Sequence, residues 1–146
     1  MRYQYWGQNV IHKLVLSVIV TLGLVVVANA DVENIDSDQL RDLISDGVAL
    51  VDVREELEWR DTGIISKSHL MTFFDSDGKY DVKEWMGKLK AIVASSEPVI
   101  IICRSGRRSL IVAQYLSENE SYRKVYNAFE GINGWKRDKL DLEDFR

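Results

Sequence analysis

The sequence predicts an α/β fold with a mostly parallel central sheet and helices on both faces, and three observations predict it. The runs "VALVDV" (Val48 to Val53) and "VIII" (Val99 to Ile102) are apolar at nearly every position rather than at alternate ones, the pattern of strands buried on both faces. Strand-like and helix-like segments then alternate along the chain, and the stretches between them are long enough for the crossovers of about a dozen residues that parallel neighbours require. The 146 residues are enough for one domain with its own core.

The first thirty residues read differently from the rest. "LVLSVIVTLGLVVVA" (Leu14 to Ala28) is an uncharged apolar run behind Arg2, His12 and Lys13, and "ANA" (Ala28 to Ala30) has the small-x-small form of a cleavage site. The run falls short of the ~20 residues that span a bilayer comfortably. Residues 1–30 are therefore expected to be a cleaved signal peptide and 31–146 the folded domain. The protein is expected to be exported, most simply to a periplasm, with an uncleaved membrane anchor as the alternative.

Within the domain, "DSDQLRDLISDG" predicts a helix capped by Asp36 or Ser37, presenting Leu40, Leu43 and Ile44 and stopping at Gly47. Val48 to Val53 follows as a buried strand. "REELEWRDTG" has helical composition up to Gly63, and "IISKSHLMTFF" holds a short strand around Ser68 to Met71. Val82, Trp85, Met86, Leu89, Ile92 and Val93 recur at helical spacing from Asp81 to Ser95. Pro98 bars that helix from continuing, and Val99 to Ile102 is a central strand. "RRSLIVAQYLSEN" resumes helical spacing, with Leu110, Ile111, Ala113, Gln114 and Leu116 read as its apolar face. "KVYNA" reads as a strand and "EGINGWKRD" as a turn and a last short helix. Trp59, Trp85 and Trp135 are expected to anchor the core or its rim.

With 23 acidic against 19 basic side chains the net charge is -4, so the chain as a whole is no nucleic-acid binder, and its basic character is local to Arg104, Arg107 and Arg108. Those arginines surround Cys103, the only cysteine. The cysteine stands where the strand Val99 to Ile102 gives way to the next helix, the end of a parallel strand where ligands sit. Gly106 can take a positive φ there, so the backbone N–H groups of a tight loop can converge on the sulfur, and the start of the following helix adds to the positive field. Such surroundings favour the thiolate, the form that acts as nucleophile. Cys103 is the candidate catalytic residue, and Arg104, Ser105, Gly106, Arg107, Arg108 and Ser109 are the candidate substrate-binding residues. Arg107 is the one best read as merely solvated. Asp52 and Arg54, at the end of another strand, are read as rim residues that pair with each other or with loop backbone. His69 is read as structural or incidental.

"CRSGRRS" resembles the active-site loop of the rhodanese-type sulfurtransferases, Cys-Arg-x-Gly-x-Arg-Ser, through Cys103, Arg104, Gly106, Arg108 and Ser109. "LVDVREELEW" (Leu50 to Trp59) and "VYNAFEGINGW" (Val125 to Trp135) resemble two flanking segments of that family, in order, so the likeness covers nearly all of residues 32–136. The chain departs from the pattern at "TGIISKSHL", where Ile64 takes a histidine's place and no proline follows, and at Glu130-Gly131, where the family has two glycines. The resemblance implies a single rhodanese-like domain working without metal or cofactor. In the implied reaction, the Cys103 thiolate takes the outer sulfur of a small anionic donor such as thiosulfate as a persulfide, with Arg104 and Arg108 attracting the donor and stabilising the departing sulfite, then passes it to a thiol, cyanide or protein acceptor. A carrier that holds persulfide for a partner without turning over is the alternative. Fold relatives that hydrolyse phosphate esters separate cysteine and arginine by five residues. Here four lie between Cys103 and Arg108, a smaller ring that suits sulfur over a tetrahedral oxyanion.

Overall fold

In the computed structural model the described residues are 31–146. The expected signal segment and its cleavage after Ala30 lie outside them. Five parallel strands form one sheet in the order β1-β5-β4-β2-β3: β1 (Asp31–Ile35), β2 (Ala49–Asp52), β3 (His69–Leu70), β4 (Val99–Ile102) and β5 (Lys124–Ala128). Four helices connect them, α1 (Ser37–Ser45), α2 (Glu56–Thr62), α3 (Val82–Lys90) and α4 (Arg107–Asn119), and α5 (Gly131–Arg137) follows the last strand. The expected α/β class is the one observed, with a sheet that is parallel at every pairing.

The two faces of the sheet carry two separate cores, as the alternation of side chains along each strand requires. On one face Val51, Val99, Ile101 and Val125 pack against Trp85, Met86 and Leu89 of α3 and Val112, Ala113 and Leu116 of α4. On the other, Leu50, Ile100, Ile102 and Ala128 pack against Leu40 of α1 and Ile132 and Trp135 of α5. Leu43 and Ile44 join this second core as partly buried neighbours, as the α1 spacing predicts. Asp36 caps α1 through a reciprocal pair of hydrogen bonds with Gln39, at 2.9 and 3.1 Å.

Two elements differ from the sequence expectation. No strand is predicted before α1, yet Asp31–Ile35 pairs along its length with β5. Asp, Glu and Asn are depleted in strands, and here they are tolerated because β1 is an edge. In α4 the buried face is Ser109, Val112, Ala113 and Leu116, a quarter-turn or so away from the face expected, and Ile111 is exposed. Counting apolar residues misplaced that face because two serines, Ser109 and Ser117, belong to it.

Candidate active site

Strand β4 ends by delivering Cys103 into the α3/α4 core, where the side chain is 1% exposed. The next peptides leave the sheet because α5 captures their carbonyls: Ile132 N–H donates to the Cys103 oxygen at 2.9 Å and Asn133 N–H to the Arg104 oxygen at 3.0 Å. No peptide bond here is cis. In a trans peptide the N–H points opposite to the C=O, so fixing these two carbonyls toward α5 turns the Arg104 and Ser105 amides away from it. The chain then turns at Gly106 (φ 82°), whose carbonyl accepts from Leu110 N–H at 3.1 Å and so opens α4. Among the described residues no acceptor takes the N–H groups of Arg104, Ser105, Gly106, Arg107 or Arg108. That is a run of unclaimed donors beside a sulfur, in the turn-then-helix conformation that binds anions.

Two glycines seat the loop closely on neighbouring backbone. A Cβ on Gly106 would lie 1.8 Å from the Phe129 oxygen, and one on Gly131 (φ 58°) would lie 2.2 Å from the Cys103 oxygen. Both positions therefore demand glycine for space as well as for φ. Gly131 is the glycine that remains of the family's usual pair.

Of the three arginines, Arg104 and Arg107 are exposed and have no ion-pair partner among the described residues. Arg108 is different. Its Nη2 donates to both oxygens of Glu58, on α2, at 2.6 and 2.8 Å, with both side chains half-buried. Burial alone pushes the Glu58 carboxyl up, but the Arg108 hydrogen bonds, the Glu55 amide and the charges of Arg108 and Arg54 together outweigh it and hold the carboxyl below its ordinary value. The same hydrogen bonds, with the charge of Glu58, hold Arg108 more firmly protonated against the cost of its burial. Ser105 is exposed, while Ser109 is fully buried, its hydroxyl 3.4 Å from the Cys103 sulfur and 2.6 Å from Asn127 Oδ1.

Asp52 and Arg54 pair with each other, buried inside the fold and not at its rim. Both are within 1% of full burial, Arg54 Nη2 lies 2.7 Å from Asp52 Oδ2, and Nε donates to both Asp52 oxygens at 3.0 Å. The remaining guanidinium protons go to Thr62 Oγ1 at 2.5 Å, the Gly63 carbonyl at 2.9 Å and the Glu58 carbonyl at 3.5 Å, tying the end of β2 to α2. His69 is exposed on the edge strand β3. Glu58, Asn127 and Phe129 were not singled out from sequence. Glu58 was one acid among several in a helical segment, and the only sign of Asn127 was an amide inside a run otherwise suited to a strand.

The Rhodanese-like domain profile matches residues 36–138. The RP600 homolog of Rickettsia rickettsii is 34% identical over 121 residues, which cover 75% of this chain and 95% of that protein. Thiosulfate sulfurtransferase GlpE of Actinobacillus pleuropneumoniae serotype 3 is 31% identical over 99 residues, covering 68% and 81% of the two chains. Among solved structures, Rv0390 from M. tuberculosis superposes with a TM-score of 0.65 at 26% identity, over 77% of this chain and 98% of the other. A buried cysteine at a strand end, a glycine turn of unclaimed amides behind it and a matching profile over most of the chain place this protein in the rhodanese-like domain family of sulfurtransferases.

Proposed function

We propose that the protein transfers a sulfane sulfur from an anionic donor such as thiosulfate to a thiophilic acceptor through a persulfide on Cys103. The observation that carries this reading is the unclaimed row of amides from Arg104 to Arg108 beside a buried sulfur. The Cys103 thiolate attacks the outer sulfur of the donor, the donor's S–S bond breaks, and sulfite leaves with the bonding pair. The new terminal sulfur is anionic, and the loop amides supply preorganised donors for that charge. Arg104, unpaired and exposed, draws the donor in and stabilises the departing sulfite; Glu58 holds Arg108, so the exposed Arg107, read from the sequence as solvated, takes the part expected of Arg108. An acceptor thiolate or cyanide then attacks the terminal sulfur and restores the Cys103 thiolate. The likeness to a thiosulfate sulfurtransferase supports thiosulfate as donor.

Intact mass spectrometry after incubation with thiosulfate tests the proposal. One added sulfur on the wild type, removed by cyanide with release of thiocyanate and missing from Cys103→Ser, is the expected result. Full transfer by Cys103→Ser would overturn it.

The Glu58–Arg108 pair favours a second reading, because it removes one cation from those that face an incoming dianion. In that reading Cys103 carries persulfide for a protein acceptor. A stable persulfide that forms with thiosulfate but turns over slowly with cyanide would select it. Export is likewise a proposal, supported by the apolar run and the cleavage-like tripeptide at residues 28–30. A mature N-terminus at Asp31 is expected, and a retained Met1 in the membrane fraction would reverse it.

A further inference from the structure

The hydrogen bonds behind Cys103 do not stop at Ser109. Asn127 is 1% exposed on β5, and its Nδ2 donates to Asn34 Oδ1 at 2.8 Å; the two asparagines stand directly opposite in the β1–β5 register. A chain thus runs from the sheet edge to the sulfur: Asn34, Asn127, Ser109, Cys103. Its members must share one hydroxyl proton. With that proton on the 2.6 Å contact to Asn127 Oδ1, the Ser109 oxygen is left as an acceptor 3.4 Å from the sulfur, which suits a neutral thiol donating S–H. When the thiol proton has left to solvent, the sulfur can only accept, and Ser109 must turn its proton toward it. The Asn127 oxygen would then lose its donor in a buried place, a costly vacancy.

We infer that Asn127 is a positioning residue for the cysteine: by turning its amide over, it offers Ser109 a carbonyl when Cys103 is a thiol and an N–H when Cys103 is a thiolate or persulfide. The turn leaves every partner satisfied, since Nδ2 then donates to the Ser109 oxygen, Ser109 donates to sulfur, and Asn127 Oδ1 accepts from the amide of Asn34. Asn34 is exposed at the edge strand and free to turn with it. An amide can present either polarity at the same site by turning over. The inference deepens the proposed function by assigning a residue that acts through Ser109, and its test reads the thiol directly, whatever sulfur donor the protein uses.

The charges around the sulfur are the Asp52–Arg54 pair from β2, Glu58 of α2 bound to Arg108 of α4, and the unpaired Arg104 and Arg107. Glu55 also acts on Arg108, the Glu130–Arg137 pair lies at α5, and the Lys124–Glu33 pair sits toward the opposite end of β1 and β5. All are common to the variants compared, so they cancel. Iodoacetamide alkylation of the full chain, which modifies its one cysteine, is followed against pH. Asn127→Asp holds only acceptors toward Ser109 and is expected to raise the midpoint of the profile by about one pH unit, the scale of one hydrogen bond to a charge. The same change in a Ser109→Ala background should move it much less, the remainder being the aspartate's field. Asn127→Leu, which leaves Ser109 free to donate to sulfur, should not raise the midpoint. Equal shifts in both backgrounds, or equal shifts for Asp and Leu, would overturn the inference. The side-chain amide resonance of Asn127 provides a check that needs no change at that position. It should respond to ionisation of Cys103 in the wild type and much less in Ser109→Ala, and an undiminished response there would equally overturn the inference.

Discussion

At the scale of single residues, the site sorts its charges by whether they are already spent on one another. Arg104 and Arg107 are available to a ligand, whereas Arg108 is bound by Glu58 and Arg54 by Asp52. Glu58→Gln should therefore release Arg108 toward the donor and lower KM for thiosulfate by roughly two- to fivefold, the range of a half-exposed ion pair. Steady-state thiocyanate formation measures this, and an unchanged or higher KM would show that Arg108 faces away from the donor. The pair also carries a pH signature. Because the Glu58 carboxyl is held below its ordinary value in the folded state, its contribution to stability is present above that ordinary value and is lost as pH falls through the depressed one. Urea midpoints of wild type and Glu58→Gln should accordingly converge on acidification.

At the scale of elements, the buried Asp52–Arg54 pair and its bonds to Thr62 and Gly63 fasten α2 to the end of β2, and α2 in turn holds Arg108. Asp52→Asn leaves a buried guanidinium without its counter-charge and is expected to cost about 3–5 kcal/mol by denaturant unfolding. Loss of less than about 1 kcal/mol would mean that the pair is dispensable. Most elements here were legible in the sequence because their cause is local: the apolar β2 and β4, the Asp36 cap of α1 and the loop glycine each announce themselves within a few residues. β1 was not legible, since its pairing partner lies 93 residues away in sequence and its own residues argue against a strand. The site divides the same way. Cys103 and its loop are contiguous, whereas the partnerships of Arg108 with Glu58 and Ser109 with Asn127 join residues 50 and 18 positions apart that only the folded sheet brings together.

At the scale of the whole molecule, the C-terminal segment closes the fold at the place where the sequence departs from its family. Ile64, which stands where a histidine is usual, exchanges backbone hydrogen bonds with Glu143 at 2.8 and 2.9 Å in an antiparallel bridge. Phe145 packs edge-on against Trp59 with centroids 5.6 Å apart, Arg60 lies over the same ring, and Trp135 donates its indole N–H to the Asp141 carbonyl at 2.9 Å. Removing residues 140–146 should lower stability by about 2–3 kcal/mol, the scale of one large apolar side chain returned to water, while leaving persulfide formation measurable by mass. A truncated protein of unchanged stability would show that the segment only rests on the surface. The tight seating of Gly106 on the Phe129 carbonyl has a different reach. Anyone wishing to widen the anion ring to accommodate phosphate by inserting a residue after Cys103 would drive that turn into a neighbouring main chain with nowhere to retreat. Re-engineering the specificity of this scaffold would therefore require lengthening two segments together, the cysteine turn and the one that follows β5.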